Sequence, residues 1–180
     1  MKRNKKFISE PQRGSTFVKE DIRQITNLLK KDTPLTRGNE VTNFEKEFSD
    51  LTGAKYSIAV SSCSAALRIA FQMLNLSSKD EVIIPANAFW NSVNPILETS
   101  AKIKIVDVSG YNLTISPDIL KKKITKKTKA ILLLDYAGNP CEYEKIIKIV
   151  KNKNITLIED AAHATGSYYK KKHVGSLVDI

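Results

Sequence analysis

Cysteine is scarce in this sequence, and the two present, Cys63 and Cys141, are far apart with no zinc-like spacing. That argues against a disulfide-stapled scaffold or a cysteine-based metal site and points to a reducing compartment. Apolar runs of membrane-spanning length are also missing, and the basic opening Lys2-Arg3-Asn4-Lys5-Lys6 has no apolar stretch behind it that would make a signal peptide. A cytoplasmic protein with no membrane partner and no metal is therefore expected. There is no internal repeat and no low-complexity linker, and 180 residues are enough for one ordinary domain whose core needs no covalent staple.

Acid is in deficit. Against 29 Lys and Arg stand 19 Asp and Glu, a formal charge of +10 carried largely by Lys121-Lys122-Lys123, Lys126-Lys127, Lys129 and Lys170-Lys171-Lys172. Such runs raise nucleic acid as a partner. Here they flank expected helix ends and turns and few aromatics alternate with them, which is the pattern of a solvated face, so no nucleic-acid partner is expected.

What is present is an ordered alternation. Val18, Ile22, Ile25 and Leu29 recur at helical spacing in 17–31, with Pro34 as the stop, and Leu35-Thr36-Arg37-Gly38 reads as a turn. Val41, Phe44, Phe48 and Leu51 mark one face of a second helix closed by Gly53. From Lys55 strands alternate with helices, the signature of βαβ units and a mainly parallel sheet. Strands are expected at 56–60, 81–84, 103–108, 130–134 and 155–158. Between them helices are expected at 65–76, at 89–98 despite Pro95, after an N-cap at Ser116, and at 142–151 with Ile146, Ile147 and Val150 inward. A small hairpin is expected at 167–175, and a further strand at Leu177.

In open α/β sheets ligands bind outside the carboxyl ends of the strands, so the turns there carry the chemistry. Ser61-Ser62-Cys63-Ser64 opens a helix and offers hydroxyls and N–H groups to an anion, although serine at such a place also serves as a plain N-cap. Phe89 and Trp90 follow the next strand, as stacking platforms or as core. In Ile158-Glu159-Asp160-Ala161-Ala162-His163, Asp160 directly follows a buried run. N-capping of a following short helix explains it as well as a functional role does, and His163 would share its face if that segment were helical. An anion cradle, a stacking aromatic and a carboxylate beside an imidazole together describe a site for a flat phosphorylated heteroaromatic such as pyridoxal phosphate. The phosphate would rest at Ser62 to Ser64, Phe89 would cover the ring, and Asp160 would keep the ring nitrogen protonated.

Further stretches carry a resemblance: Leu35-Thr36-Arg37-Gly38 with Asn43-Phe44-Glu45, SSCSAAL at 61–67, DEVIIPANAF at 80–89, TKAI at 128–131, YAGNPC at 136–141, IEDAAHA at 158–164 and VGSLVDI at 174–180. In this order they resemble the DegT/DnrJ/StrS sugar aminotransferases. The resemblance implies a fold-type I, pyridoxal-phosphate-dependent enzyme with a three-layer α/β/α large domain and a mainly parallel sheet. It implies transfer of an amino group, usually from glutamate, onto a nucleotide-linked keto sugar by a homodimer. It gives Ser64 and the backbone at Cys63 to the phosphate, Phe89 to the ring face, Asp160 to the pyridine nitrogen, and His163 to the neighbourhood of the phenolic oxygen. Cys63 stands where a glycine or another small residue is usual.

The same resemblance sets residues 1–34 apart as a basic tail and first helix, and makes 35–180 part of the cofactor-binding domain. The family's Schiff-base lysine and small domain are expected beyond Ile180, so no residue here is named catalytic. A truncated or split form, nearly inert alone, follows, since general acid–base catalysis is worth about 10²–10⁴-fold. Two rivals remain: a sugar dehydratase relative with histidine in place of the lysine, and a non-catalytic remnant pairing with a full-length paralogue. The residues do not name the sugar or the carbon aminated.

Overall fold

The computed structural model describes residues 17–31, 36 and 38–180. The basic tail, the stop at Pro34, and the Leu35 and Arg37 of the expected turn lie outside them. The chain divides into two compact units, Met1–Asn39 and Glu40–Ile180. In the first, helix α1 (Lys19–Lys30) places Glu20 and Asp21 in its first turn and Lys30 in its last, complementing the helix dipole. Asp21 Oδ2 also accepts the Val18 N–H at 2.8 Å. The apolar stripe Val18, Ile22, Ile25 and Leu29 is exposed.

The second unit holds everything that bears on function. After α2 (Asn39–Thr52) and α3 (Cys63–Met73) come β1 (Glu81–Pro85), α4 (Trp90–Leu97), β2 (Lys102–Val106), α5 (Pro117–Lys123), β3 (Thr128–Leu134), α6 (Tyr143–Val150) and β4 (Thr156–Asp160). The four strands form one parallel sheet in the order β2-β1-β3-β4. The run Ala130-Ile131-Leu132-Leu133-Leu134 is apolar at every position because β3 is central and buried on both faces. Ala130 and Leu132 pack with Leu67, Phe71 and Ile96 of α3 and α4, while Ile131 and Leu133 pack with Leu120, Tyr143 and Ile146 of α5 and α6. The result is the expected α/β/α sandwich.

Several local expectations need correction. Tyr56–Val60 is in no regular element and has no ladder partner among the described residues, so its β propensity yields no strand. Its Ala59 N–H goes instead to Glu45 Oε1 at 2.8 Å, and Tyr56 and Ile58 remain exposed. Leu177 is in no strand, and pairing with β4 begins only at Ile180, whose N–H meets Leu157 O at 3.3 Å and whose carbonyl accepts the Glu159 N–H at 2.9 Å. On α6, Tyr143, Ile146 and Val150 form the buried stripe and Ile147, one residue (100°) further round, is exposed. Ser116 occupies the N-cap of α5 without a side-chain capping bond. The second helix shows its apolar face, with Val41, Phe44 and Leu51 exposed, and Gly53 closes it at φ +76°.

The expected hairpin is present. It pairs β5 (Tyr168–Tyr169) with β6 (Lys172–His173) across Lys170 and Lys171, which both have positive φ as a two-residue turn between antiparallel strands requires. His173 is buried there. Its Nε2 accepts the Gly166 N–H at 3.0 Å, which leaves Nδ1 to carry the proton toward Val174 O. No helix among the described residues is long and apolar enough to cross a membrane.

Candidate functional site

Strand β4 ends on an acid. Alternation along Leu157-Ile158-Glu159-Asp160 puts Ile158 and Asp160 on the α3/α4 face and Leu157 and Glu159 on the α5/α6 face. Asp160 is 4% exposed, so its carboxylate needs donors, and it has three. Ser92 of α4 donates its hydroxyl to Oδ2 at 2.6 Å. On Oδ1 the Ala162 N–H arrives at 3.2 Å and the Cys63 thiol at 3.6 Å. Burial, and then the charge of Asp160, push the Cys63 thiol up to about 11, so at neutral pH it is a donor and not a thiolate.

This carboxylate sits on a cavity of about 460 Å³ at the carboxyl ends of β1, β3 and β4. Its walls include Cys63, Ser64, Asn87, Phe89, Tyr136 and His163. Phe89, the N-cap of α4, is 68% exposed, so its ring is available to the cavity and is not core. His163 is exposed and meets Tyr136 edge-on at 6.2 Å between centroids. Ser64 lies in the first turn of α3, where the backbone N–H groups have no preceding carbonyl to bond. Asn87 gives its Nδ2 to Leu113 O at 2.8 Å, while its buried Oδ1 has no partner among the described residues.

Of the residues expected from the sequence, Cys63, Ser64, Phe89, Asp160 and His163 share this cavity. Ser62 does not line it. Its hydroxyl caps α3 by accepting the Ala65 N–H at 3.2 Å, and it faces a neighbouring groove with Ser61 and Arg68. Asp160 caps no helix, because 161–165 form turns, and its bond to the Ala162 N–H closes an Asx turn instead. Ser92, Asn87 and Tyr136 were missed. Ser92 carries a faint signal, being the one hydroxyl on the buried face Ser92, Pro95, Ile96 of α4.

A second polar cluster lies behind β4, on the other face. Asp135 is fully buried, accepting the Tyr143 hydroxyl at 2.6 Å and the Cys141 N–H at 2.8 Å. Glu159 accepts the Gly175 N–H at 2.5 Å on Oε1, and its buried Oε2 has no hydrogen-bond partner among the described residues. A larger hollow, about 610 Å³, opens at the opposite, amino end of the sheet among Lys126, Lys127, Lys129 and Lys153. It offers solvated lysines and no buried acid, so the smaller cavity is the better candidate.

An anion-receptive helix start, an open aromatic ring and a buried, well-donated carboxylate thus surround one cavity, and the chain as a whole has counterparts among known proteins. The sequence profile of the DegT/DnrJ/EryC1/StrS aminotransferase family matches residues 16–180. The chain belongs to this family. It is 39% identical over 145 residues to GDP-perosamine synthase of Escherichia coli O157:H7, covering 81% of this chain and 40% of that protein. It is 35% identical over 161 residues to the spore coat polysaccharide biosynthesis protein SpsC of Bacillus subtilis strain 168, covering 89% and 41%. Among solved structures, a GDP-4-keto-6-deoxymannose-3-dehydratase with a trapped PLP-glutamate geminal diamine superposes with a TM-score of 0.86 at 30% identity, covering 92% of this chain and 44% of that one. An aminotransferase from Psychrobacter cryohalolentis does so with a TM-score of 0.84 at 31% identity, covering 91% and 42%. The chain thus spans about two fifths of the length of the curated relatives it matches. Its fold is that of the fold-type I enzymes, and pyridoxal phosphate is the cofactor of the family.

The residues present fit that cofactor. A planar ring has an exposed phenyl group to lie against, a phosphate has the open first turn of α3, and a ring nitrogen has a buried carboxylate with lone pairs to spare. The orphaned Asn87 Oδ1 leaves one more acceptor at the same wall.

Proposed function

We propose that the chain is the cofactor-binding part of a pyridoxal-phosphate-dependent aminotransferase acting on a nucleotide-linked keto sugar, with an amino donor such as glutamate, in polysaccharide biosynthesis. The observation that carries this is Asp160, buried at the end of β4, held by three donors and facing a cavity walled by Phe89, Ser64 and His163. When bound, pyridoxal phosphate supplies an electron sink. Asp160 accepts from the protonated ring nitrogen, and its own donors hold the carboxylate in place at the cavity wall. Ser64 and the first-turn N–H groups at Cys63 and Ser64 bind the phosphate, aided by the helix dipole. Phe89 orients the ring and excludes water from one face, and His163 stands beside the ring's oxygen substituent.

No lysine lines the cavity among the described residues, so none of them is assigned to the reacting centre. The names of the E. coli and B. subtilis relatives support the sugar and polysaccharide side of the reading. A dehydratase reading is favoured by the equally good superposition on the GDP-4-keto-6-deoxymannose-3-dehydratase. Product analysis on a GDP-linked keto sugar separates the two by showing an amino sugar or a deoxygenated one.

The cofactor test is a titration with pyridoxal phosphate, followed by the fluorescence of Trp90, the sole tryptophan and the neighbour of Phe89. Saturable binding is expected, weakened about 10- to 100-fold in Asp160→Asn, the worth of one hydrogen bond to a charged group. Equal affinity in both proteins would sink the assignment of Asp160.

A further inference from the structure

We propose that Ser92 is a positioning residue that locks the Asp160 carboxylate in place between α4 and the Cys63 thiol, keeping its free lone pairs turned to the cavity. For the cofactor this rests on the functional reading above; the geometry itself does not. Ser92 is 3% exposed and shares the buried face of α4 with Pro95 and Ile96, where a hydroxyl is costly unless it has a partner. Its partner is Asp160 Oδ2, and 2.6 Å is the length of a charge-assisted O–H···O bond. The other oxygen is held from the Ala162 N–H and the Cys63 thiol. Three separate segments, the start of α3, the middle of α4 and the turn after β4, thereby converge on one carboxylate. Without the Ser92 hydroxyl, Oδ2 loses its donor and only the two longer contacts on Oδ1 still restrain the group's rotation.

Cys63 reports on where that carboxylate points. The residue is exposed with its thiol partly buried against Asp160, whereas Cys141 is fully buried, so an alkylating reagent distinguishes them. Thiolate is the reactive form, and the nearby carboxylate holds its fraction down. The test is the rate of iodoacetamide modification of Cys63 at pH 8 in the ligand-free chain. Asp160→Asn is expected to react fastest. Ser92→Ala is expected to react roughly three- to tenfold faster than the parent, the effect of half to one pKa unit on the thiol, and Ser92→Thr at close to the parent rate. Cys141 stays unmodified throughout.

A Ser92→Ala rate equal to or below that of the parent overturns the proposal, as does acceleration accompanied by labelling of Cys141, which marks a loosened fold. So does an Asp160→Asn rate unchanged from the parent. A second arm adds pyridoxal phosphate, which is expected to protect Cys63 in the parent and to need about a threefold higher concentration in Ser92→Ala, a shift within the worth of one hydrogen bond. If the parent is not protected at all, the cofactor reading fails, while the ligand-free rates still decide the role of Ser92.

Discussion

Glu159 and Asp160 are consecutive, both acidic and both carried into the interior by the same strand, yet the two faces of the sheet treat them in opposite ways. Asp160 meets a hydroxyl, an N–H and a thiol, all donors. Glu159 meets the Gly175 N–H on one oxygen and, among the described residues, no hydrogen-bond donor on the other, with the buried carboxylate of Asp135 close by. Burial first, and the charge of Asp135 second, push Glu159 up to about 7, against the opposing pull of the Gly175 N–H. The same burial and the same carboxylate drive the Tyr143 phenol far above its ordinary range. Burial alone therefore does not decide whether an acid stays charged; the count of donors against like charges does. One acid faces a cavity with donors on both oxygens, and the other, raised to about 7 beside Asp135, ties the end of β4 to Gly175.

The comparison breaks most severely at Asp135. In Asp135→Ala the Tyr143 hydroxyl and the Cys141 N–H lose their common acceptor inside the core. Urea unfolding should show a loss of about 2–4 kcal/mol, the cost of two buried unsatisfied donors. A loss below 1 kcal/mol would mean that water enters this cluster.

Next comes Glu159→Gln. The carboxyl of Glu159 is near 7 in the fold against an ordinary 4.5, so the folded chain holds more protons between those values. Its contribution to stability is complete below about 4.5 and is lost as the pH rises through 7. Glutamine has no such loss. The variant should match the parent near pH 4 and exceed it at pH 8 by roughly 1–3 kcal/mol, and its stability should not show that fall between the two. An unchanged pH profile in unfolding experiments would show that Asp135 and Glu159 do not interact as described.

Which parts of this were legible in the sequence follows from what each part depends on. Asp160, Phe89, Ser64 and Cys63 were found because a strand end and a helix start are local patterns, and in a parallel sheet all carboxyl ends lie on one edge. The Asp135–Glu159 cluster depends on register: Leu134 pairs with Asp160 and Leu133 with Glu159, a fact of the sheet and not of either segment. The local pattern that marks Asp160, an acid directly after a buried run, also marks Asp135 after Leu132-Leu133-Leu134. Ser92, one hydroxyl on an apolar helix face, acquires its meaning only from its partner 68 residues away. Tyr56–Val60 has every local mark of a strand, but a strand is a pairing, and no described residue pairs with it.

The finest test lies where the two faces meet, in the turn after β3. That turn sends Asp135 behind the sheet and Tyr136 into the wall of the cavity, and it closes at Gly138 with φ +80°. A Cβ built there would lie 3.2 Å from Ser167 Oγ and 3.3 Å from the His163 carbonyl oxygen. The hydroxyl of Ser167 is itself fixed, donating to Gly138 O at 2.9 Å, so neither neighbour withdraws freely. Gly138→Ala should cost about 1–2 kcal/mol, mostly from the left-handed backbone that alanine resists. Because the change touches no titrating group, it should lower stability equally at pH 4 and pH 8 and leave the slope due to Glu159 as it is. A loss confined to one end of that pH range would show instead that the turn moves Asp135 relative to Glu159, and that the two faces of the sheet are coupled through it.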